Sequence, residues 1–292
     1  MARDWSGWVP VRVRSAQVEW IECGTRRFSE PFFEDSVRRL SGAARATSDI
    51  EELLEWAASC PGIAPSGFIF HMSRCGSTLI SQMLAAVDAN RVLSEAPALD
   101  DALRLGDECL HAAMSALGQT SGGERRLFVK WDCWLTQEIA TIRRVFPGTP
   151  SIFLYRDPVE VLVSQMRNPG MWTVPEALDE EGREVHVANL LAGICRAALD
   201  EDAVLVNYSE LPGVVCDGLF GRRWSPHEIA QMKAAAAFDA KTPSFEFGAD
   251  VNEKRRSASP RVTEAAELVR PWYEELEKRR IAKKILAADQ RR

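Results

Sequence analysis

An apolar run that breaks into small polar residues and then resumes with helical spacing leaves a chain few folds to choose from. Here it reads Phe68-Ile69-Phe70-His71-Met72-Ser73-Arg74-Cys75-Gly76-Ser77-Thr78-Leu79-Ile80. The pattern predicts a buried strand, a tight turn and an amphipathic helix. Such a turn aims several backbone N–H groups at one point, at the positive end of a helix dipole, which makes an anion site. It is not the G-x-x-x-x-G-K-[ST] loop of nucleotide triphosphatases. Counted back from Gly76, the first glycine position holds His71 and the lysine position holds Ser77. The cation instead precedes the glycine, as Arg74.

From Gly67 onward strands and helices alternate. Strands are predicted at Gly67–His71, Arg91–Ser94, Leu127–Lys130, Ser151–Tyr155 and Ala203–Asn207. Helices are predicted at Thr78–Val87, Ala98–Leu103, Thr136–Phe146, Pro158–Arg167 and His186–Leu199. Short, nearly continuous apolar strands between helices imply an α/β fold with a parallel sheet flanked by helices. Ligands of such sheets bind at the carboxyl ends of the strands, so motifs distant in sequence should gather on one edge.

Residues 1–62 differ in character and are expected to form a small N-terminal α+β region ahead of the domain 63–292. Val9–Val13 and Gln17–Ile21 flank Ser15-Ala16 as a hairpin would. Ser48 with Glu51 forms a capping box that opens a short helix, and Pro61–Ser66 reads as a linker. Trp5, Trp8, Trp20, Phe32 and Phe33 either line a ligand surface or form the core of this region.

Charge and cysteine usage exclude several classes. With 36 basic and 42 acidic residues the net charge is -6, so no global field favours nucleic acid. Seven scattered cysteines form no C-x-x-C pair and no metal pattern, the usage of a reducing compartment. No apolar run is long enough for a membrane span and the N-terminus does not read as a signal peptide, so a cytoplasmic protein is expected.

A second segment, Ile152-Phe153-Leu154-Tyr155-Arg156-Asp157-Pro158-Val159-Glu160-Val161-Leu162-Val163-Ser164, is partly explained by helix capping. Asp157 suits the N-cap, Pro158 the first helical position, and Glu160 closes a capping box. Capping does not explain Arg156 or Ser164. A guanidinium fork with a hydroxyl donor suits a phosphate dianion.

Taken together, the two segments resemble the sulfotransferase family, in the motif pattern of its bacterial and tyrosylprotein members. Arg74 before Gly76 is similar to the family's 5′-phosphosulfate loop, usually P-[RK]-S-G-[ST]-[ST]. Arg156 and Ser164 stand eight residues apart, as do the arginine and serine of its 3′-phosphate motif. The resemblance runs from Gly67 to Tyr208, more loosely through the C-terminal helices, and leaves residues 1–62 outside it. It implies a P-loop-type fold and transfer of a sulfuryl group from 3′-phosphoadenosine 5′-phosphosulfate to a hydroxyl acceptor, a small molecule or a peptide, with no metal required.

On that resemblance Arg74, Cys75, Gly76, Ser77 and Thr78 hold the 5′ end of the donor and Arg74 also supports the sulfuryl group. Arg156 and Ser164 hold the 3′-phosphate. Tyr208, in Asn207-Tyr208-Ser209-Glu210-Leu211, lies near the adenine or is a core-edge tyrosine. Lys254 and Arg255, with Arg256, form a basic loop folding over the 3′-phosphate or an ordinary charged loop. Glu95, 21 residues after Arg74, corresponds to the family's general base, with a helix cap as the bland reading and His71 as the rival base. Lys130 resembles the lysine of a K-x-P segment that supports the sulfuryl group, although the proline is missing; the other reading is a surface pair with Asp132. Cys75 replaces the family's usual serine, and Arg74 with the helix terminus would lower its pKa. Asn168–Pro175 is a candidate lid or acceptor wall. Two other readings remain: an ATP-dependent kinase on a related P-loop scaffold, and a non-catalytic nucleotide- or partner-binding protein.

Overall fold

The computed structural model describes residues 3–120, 122–170, 180–238 and 251–289. At the N-terminus, β1 (Trp8–Arg14), β2 (Gln17–Glu22) and β3 (Arg45–Ser48) form an antiparallel sheet in the order β1-β2-β3. The predicted hairpin is present, with Arg14 opposite Gln17 across the turn Ser15-Ala16. The following helix, Ile50–Ser59, starts one residue later than the capping box implied. Ser48 closes β3 and its hydroxyl accepts from the Trp20 indole at 3.0 Å, so Asp49 takes over the cap and accepts from the Glu52 amide at 2.8 Å.

Five more strands build the main sheet: β4 (Pro65–His71), β5 (Asn90–Ser94), β6 (Arg126–Lys130), β7 (Ser151–Tyr155) and β8 (Val204–Asn207). All pairs are parallel and the spatial order is β5-β6-β4-β7-β8. Every residue of β5 and β7 is buried, which is why their sequences run apolar without alternation. Helices Ser77–Ala85, Pro97–Leu105, Asp107–Leu117, Ile139–Val145, Pro158–Arg167 and Glu180–Leu199 connect the strands, and that at 107–117 was not expected from sequence. The start of the predicted helix at Thr136 is a 3-10 stretch, Cys133–Glu138.

This strand order decides where a ligand can sit. From β4 the chain crosses to β5, returns to β6 beside β4, and then places β7 on the opposite flank. The crevice outside the end of β4 is therefore a topological switch point. Ser94 pairs with Lys130, His71 with Leu154 and Tyr155 with Asn207, so the strand ends are level. The N-terminal region shares this core, since one set of contacting buried side chains runs from Trp5 and Trp20 through Phe68 and Phe153 to Leu276. Trp5 stacks on Trp20 at 4.3 Å, so most of the N-terminal aromatics are core. Two polar fasteners reinforce the docking. The Asp101 carboxylate accepts from Arg12 Nη2 at 2.9 Å and from the Val13 amide at 3.1 Å, and Arg27 donates to the carbonyls of Ala85 and Val87, each at 2.9 Å.

Candidate active site

The turn after β4 leads into the helix Ser77–Ala85 with Gly76 as its N-cap at φ +93°. The N–H groups of Ser77 and Thr78 lead that helix, ahead of its first bond from the Leu79 N–H to the Gly76 carbonyl at 3.0 Å, and lie at the positive end of its dipole. Arg74 (φ +59°) and Glu95 (φ +56°) are two of the three non-glycine residues with left-handed backbone among those described. That conformation costs an L-residue roughly 1–2 kcal/mol, and here it falls on two residues that the sequence had already singled out.

Glu95 does not cap a helix. The helix Pro97–Leu105 has Ala96 as its N-cap, and the Glu95 carboxylate turns back to Lys130, with Nζ to Oε1 at 2.8 Å. Lys130 is buried and also donates to the Thr78 hydroxyl at 3.4 Å; its partner is Glu95, so the surface pair with Asp132 is not formed. The Phe32 ring covers its ammonium at 4.6 Å, which brings one N-terminal aromatic into the site. Burial raises the Glu95 pKa, but the Lys130 ammonium and the neighbouring His71 outweigh it and hold the carboxylate down to about 2. His71 is buried, its Nε2 3.1 Å from the Trp131 carbonyl, its Nδ1 3.3 Å from that of Met72, and its Nε2 3.6 Å from Glu95. Both ring nitrogens face carbonyls, which suits a positioning residue better than a base.

The two segments singled out in the sequence meet. Arg74 Nε donates to Ser164 Oγ at 3.0 Å. Arg156 lies with its guanidinium 3.9 Å above the Tyr208 ring, and that ring packs on Gly76, where a Cβ would come within 2.8 Å of it. Tyr208 is thus a floor shared by the loop and Arg156. Asp157 caps the helix Pro158–Arg167 as expected, accepting from the Val159 amide at 3.0 Å. Glu160 does not complete the box. Its carboxylate accepts from Arg156 Nε at 2.7 Å and from Arg255 Nε at 2.8 Å, holding two guanidinium groups side by side. Lys254 and Arg255 belong to a short helix, Val251–Arg256, where the sequence suggested a loop.

One expectation needs correction. The Cys75 thiol is not activated: it points into the core, donates to the Leu154 carbonyl at 3.3 Å, and burial pushes it up to about 12. The loss of solvent around the thiol outweighs the Ser77 N–H at the helix terminus, which would lower its pKa. Met171–Pro175 of the candidate lid lie outside the described residues. Sequence reasoning placed Phe32 among aromatics that either line a ligand surface or form a core, and it missed Glu160 as the clamp of two arginines and the burial of Asp132. Asp132 stands at the N-cap of Cys133–Glu138 without making a capping bond.

No family model matches this chain, and no curated protein matches it. Among solved structures it is similar to sulfotransferase STF9 from Mycobacterium avium, at 14% identity and a TM-score of 0.47, over 71% of this chain and 79% of that one. It is also similar to the sulfotransferase domain of the Synechococcus PCC 7002 olefin synthase, at 14% identity and 0.42, over 71% and 94%. A sulfotransferase from Alicyclobacillus acidocaldarius follows at 17% identity and 0.39, over 72% and 98%. Each is a partial likeness at low identity.

Proposed function

We propose that the protein is a sulfotransferase that takes a sulfuryl group from 3′-phosphoadenosine 5′-phosphosulfate and delivers it to a hydroxyl acceptor. The observation that carries this reading is the Arg74–Ser164 hydrogen bond, because it brings the turn after β4 against the helix Pro158–Arg167, the two segments that resemble the family's phosphate motifs. The donor set suits two anionic ends. Helix-terminal N–H groups, the Ser77 and Thr78 hydroxyls, Arg74 and Lys130 serve the phosphosulfate, while Arg156, Ser164, Lys254 and Arg255 serve the 3′-phosphate. A nucleoside triphosphate gives Arg156 and Ser164 nothing to bind, which disfavours the kinase reading.

In this reading Glu95 accepts the proton of the acceptor hydroxyl. Its side chain keeps 23% of its surface exposed, whereas Lys130 is sealed beneath it. Bonded to Lys130 it is a weak base. Any donor oxygen that draws the ammonium toward Thr78 returns basicity to Glu95, which couples proton removal to a filled donor site.

The test is thermal unfolding with adenosine 3′,5′-bisphosphate and no added metal. At 100 times its Kd a ligand adds about 2.7 kcal/mol of stability, a readily seen rise in Tm. Stabilisation by ATP with Mg²⁺ and not by the bisphosphate would overturn the reading in favour of a kinase.

A further inference from the structure

The segment from Arg27 to Phe33 precedes the part of the chain that resembles a sulfotransferase, yet it is fastened along the helix Ser77–Ala85. Arg27 Nη2 donates to the carbonyl of Ala85, the last residue of that helix, at 2.9 Å. Two residues on, the Ser29 carbonyl accepts from Gln82 Nε2 at 3.1 Å. Phe32 then lies over the ammonium of Lys130, which donates to Thr78 in the first turn of the same helix. Ala85, Gln82 and Thr78 share one helix face by their three- and four-residue spacing, so the segment runs up that face toward the crevice. Phe33 packs instead into the N-terminal core, 5.1 Å from Phe28, so the two adjacent rings serve different places. Phe32 is also the N-cap of the helix Phe33–Arg39 and makes no side-chain capping bond, at a position where Ser, Thr, Asp or Asn would serve the helix. Helix formation does not account for its ring.

An ammonium carries three N–H donors. Glu95 at 2.8 Å and Thr78 at 3.4 Å engage that of Lys130, the Phe32 ring centre lies 4.6 Å away, and the lysine side chain has no exposed surface. We infer that Phe32 is a positioning residue of the active site: its ring, delivered by the N-terminal region, keeps water from the Lys130 ammonium, which then divides its charge between Glu95 and a bound donor. This rests on the sulfotransferase reading for the donor and on the contacts alone for the ring. The negative face of the ring attracts the cation without withdrawing it from its oxygen partners. A leucine there fills similar space but offers no such face, and water admitted beside it screens the ammonium from Glu95 and from the donor alike. The N-terminal region thereby acts in the chemistry as well as in the core.

NMR of the lysine ammonium groups in the full chain tests the contact. One resonance, missing in Lys130→Met, should be shifted upfield by the ring and exchange slowly with water. Phe32→Tyr should keep both properties and Phe32→Leu should lose both. Calorimetry then compares 3′-phosphoadenosine 5′-phosphosulfate, whose sulfuryl group Lys130 serves, with adenosine 3′,5′-bisphosphate, which lacks it. Phe32→Leu should weaken the phosphosulfate about tenfold and the bisphosphate less than about twofold, and Phe32→Tyr should restore the difference. Equal changes for the two nucleotides, or a Tyr variant that behaves as the Leu variant does, overturns the assignment and leaves Phe32 a packing residue. If Phe32→Leu does not fold, the wild-type spectrum decides, since a Lys130 signal at its ordinary position and in fast exchange overturns it too. Failure of both nucleotides to bind overturns the sulfotransferase reading instead, and the ammonium spectra still decide whether the ring shields Lys130.

Discussion

Nζ of Lys130 sits 2.8 Å from Oε1 of Glu95, and the lysine side chain has no exposed surface. A buried pair of this kind is worth little against an apolar replacement, but removing one partner strands the other. Glu95→Gln should therefore cost about 3–5 kcal/mol of stability, and Glu95→Gln combined with Lys130→Met should cost less than the sum of the two singles. Urea unfolding of the four proteins measures the coupling. Simple additivity would mean that the pair is not energetically linked.

The same pair sets an acid limb. The folded-state pKa of Glu95 lies below its ordinary value of 4.5, at about 2, so its stabilising contribution is complete above 4.5 and disappears as pH falls toward 2. The Tm gap between wild type and Glu95→Gln should shrink across that interval. A gap that stays constant would assign the loss to packing.

Asp132 has the opposite sign. The folded carboxyl keeps a proton that the unfolded chain releases above its ordinary value of 3.8, so wild type loses stability with rising pH until the folded group ionises at about 8. The Tm of Asp132→Asn relative to wild type should climb across this range and then level off. A variant that is uniformly less stable would make the carboxylate a structural group.

Ligand discrimination separates the two proposed phosphate sites. Arg156→Ala with Ser164→Ala should weaken adenosine 3′,5′-bisphosphate by more than about tenfold, since each charge-assisted bond is worth roughly 1.5–3 kcal/mol. Adenosine 5′-monophosphate, which lacks the 3′ group, should be much less affected. Arg74→Ala should weaken both, because Arg74 belongs to the loop and reaches Ser164. Equal losses for the two nucleotides in the double variant would contradict the assignment.

Turnover isolates the proton acceptor. If Glu95 takes the hydroxyl proton, Glu95→Gln should lower kcat by about 10²-fold or more at temperatures where the variant is folded, with bisphosphate affinity nearly unchanged. Full activity would exclude Glu95.

Gly76 tests the loop itself. At φ +93° and with the Tyr208 ring in the way, Gly76→Ala should cost more than about 1 kcal/mol and reduce bisphosphate affinity. Relieving the clash with Tyr208→Ala should recover only part of the stability, since the backbone strain remains. Full recovery would place the whole cost on the ring.

Much of this was legible in the linear order of residues. Ser151–Tyr155 and Pro158–Arg167 form where their apolar pattern, Asp157 cap and first-turn proline predict, because those signals are local. β3 escaped notice because Arg45–Ser48 is short and only its last residue is buried; its pairing with β2 gives it its shape. The helix Val251–Arg256 looked like a loop for a similar reason, its arginine being held from outside by Glu160.

The sequence by itself determined the parallel sheet, the tight turn after β4 and most of the residues gathered at its edge, since strand burial, helix capping and glycine's backbone freedom act over a few neighbouring residues. Only the tertiary structure decided how those residues are paired. Lys130 could have met Asp132 but meets Glu95, because Lys130 ends β6 and Glu95 follows β5, and these paired strands end level at Ser94 and Lys130. Cys75 could have faced a ligand but faces Leu154. Phe32 reaches Lys130 from a region that its sequence sets apart. Charge pairing and desolvation depend on distances between strands and helices, and those distances exist only once the sheet has assembled.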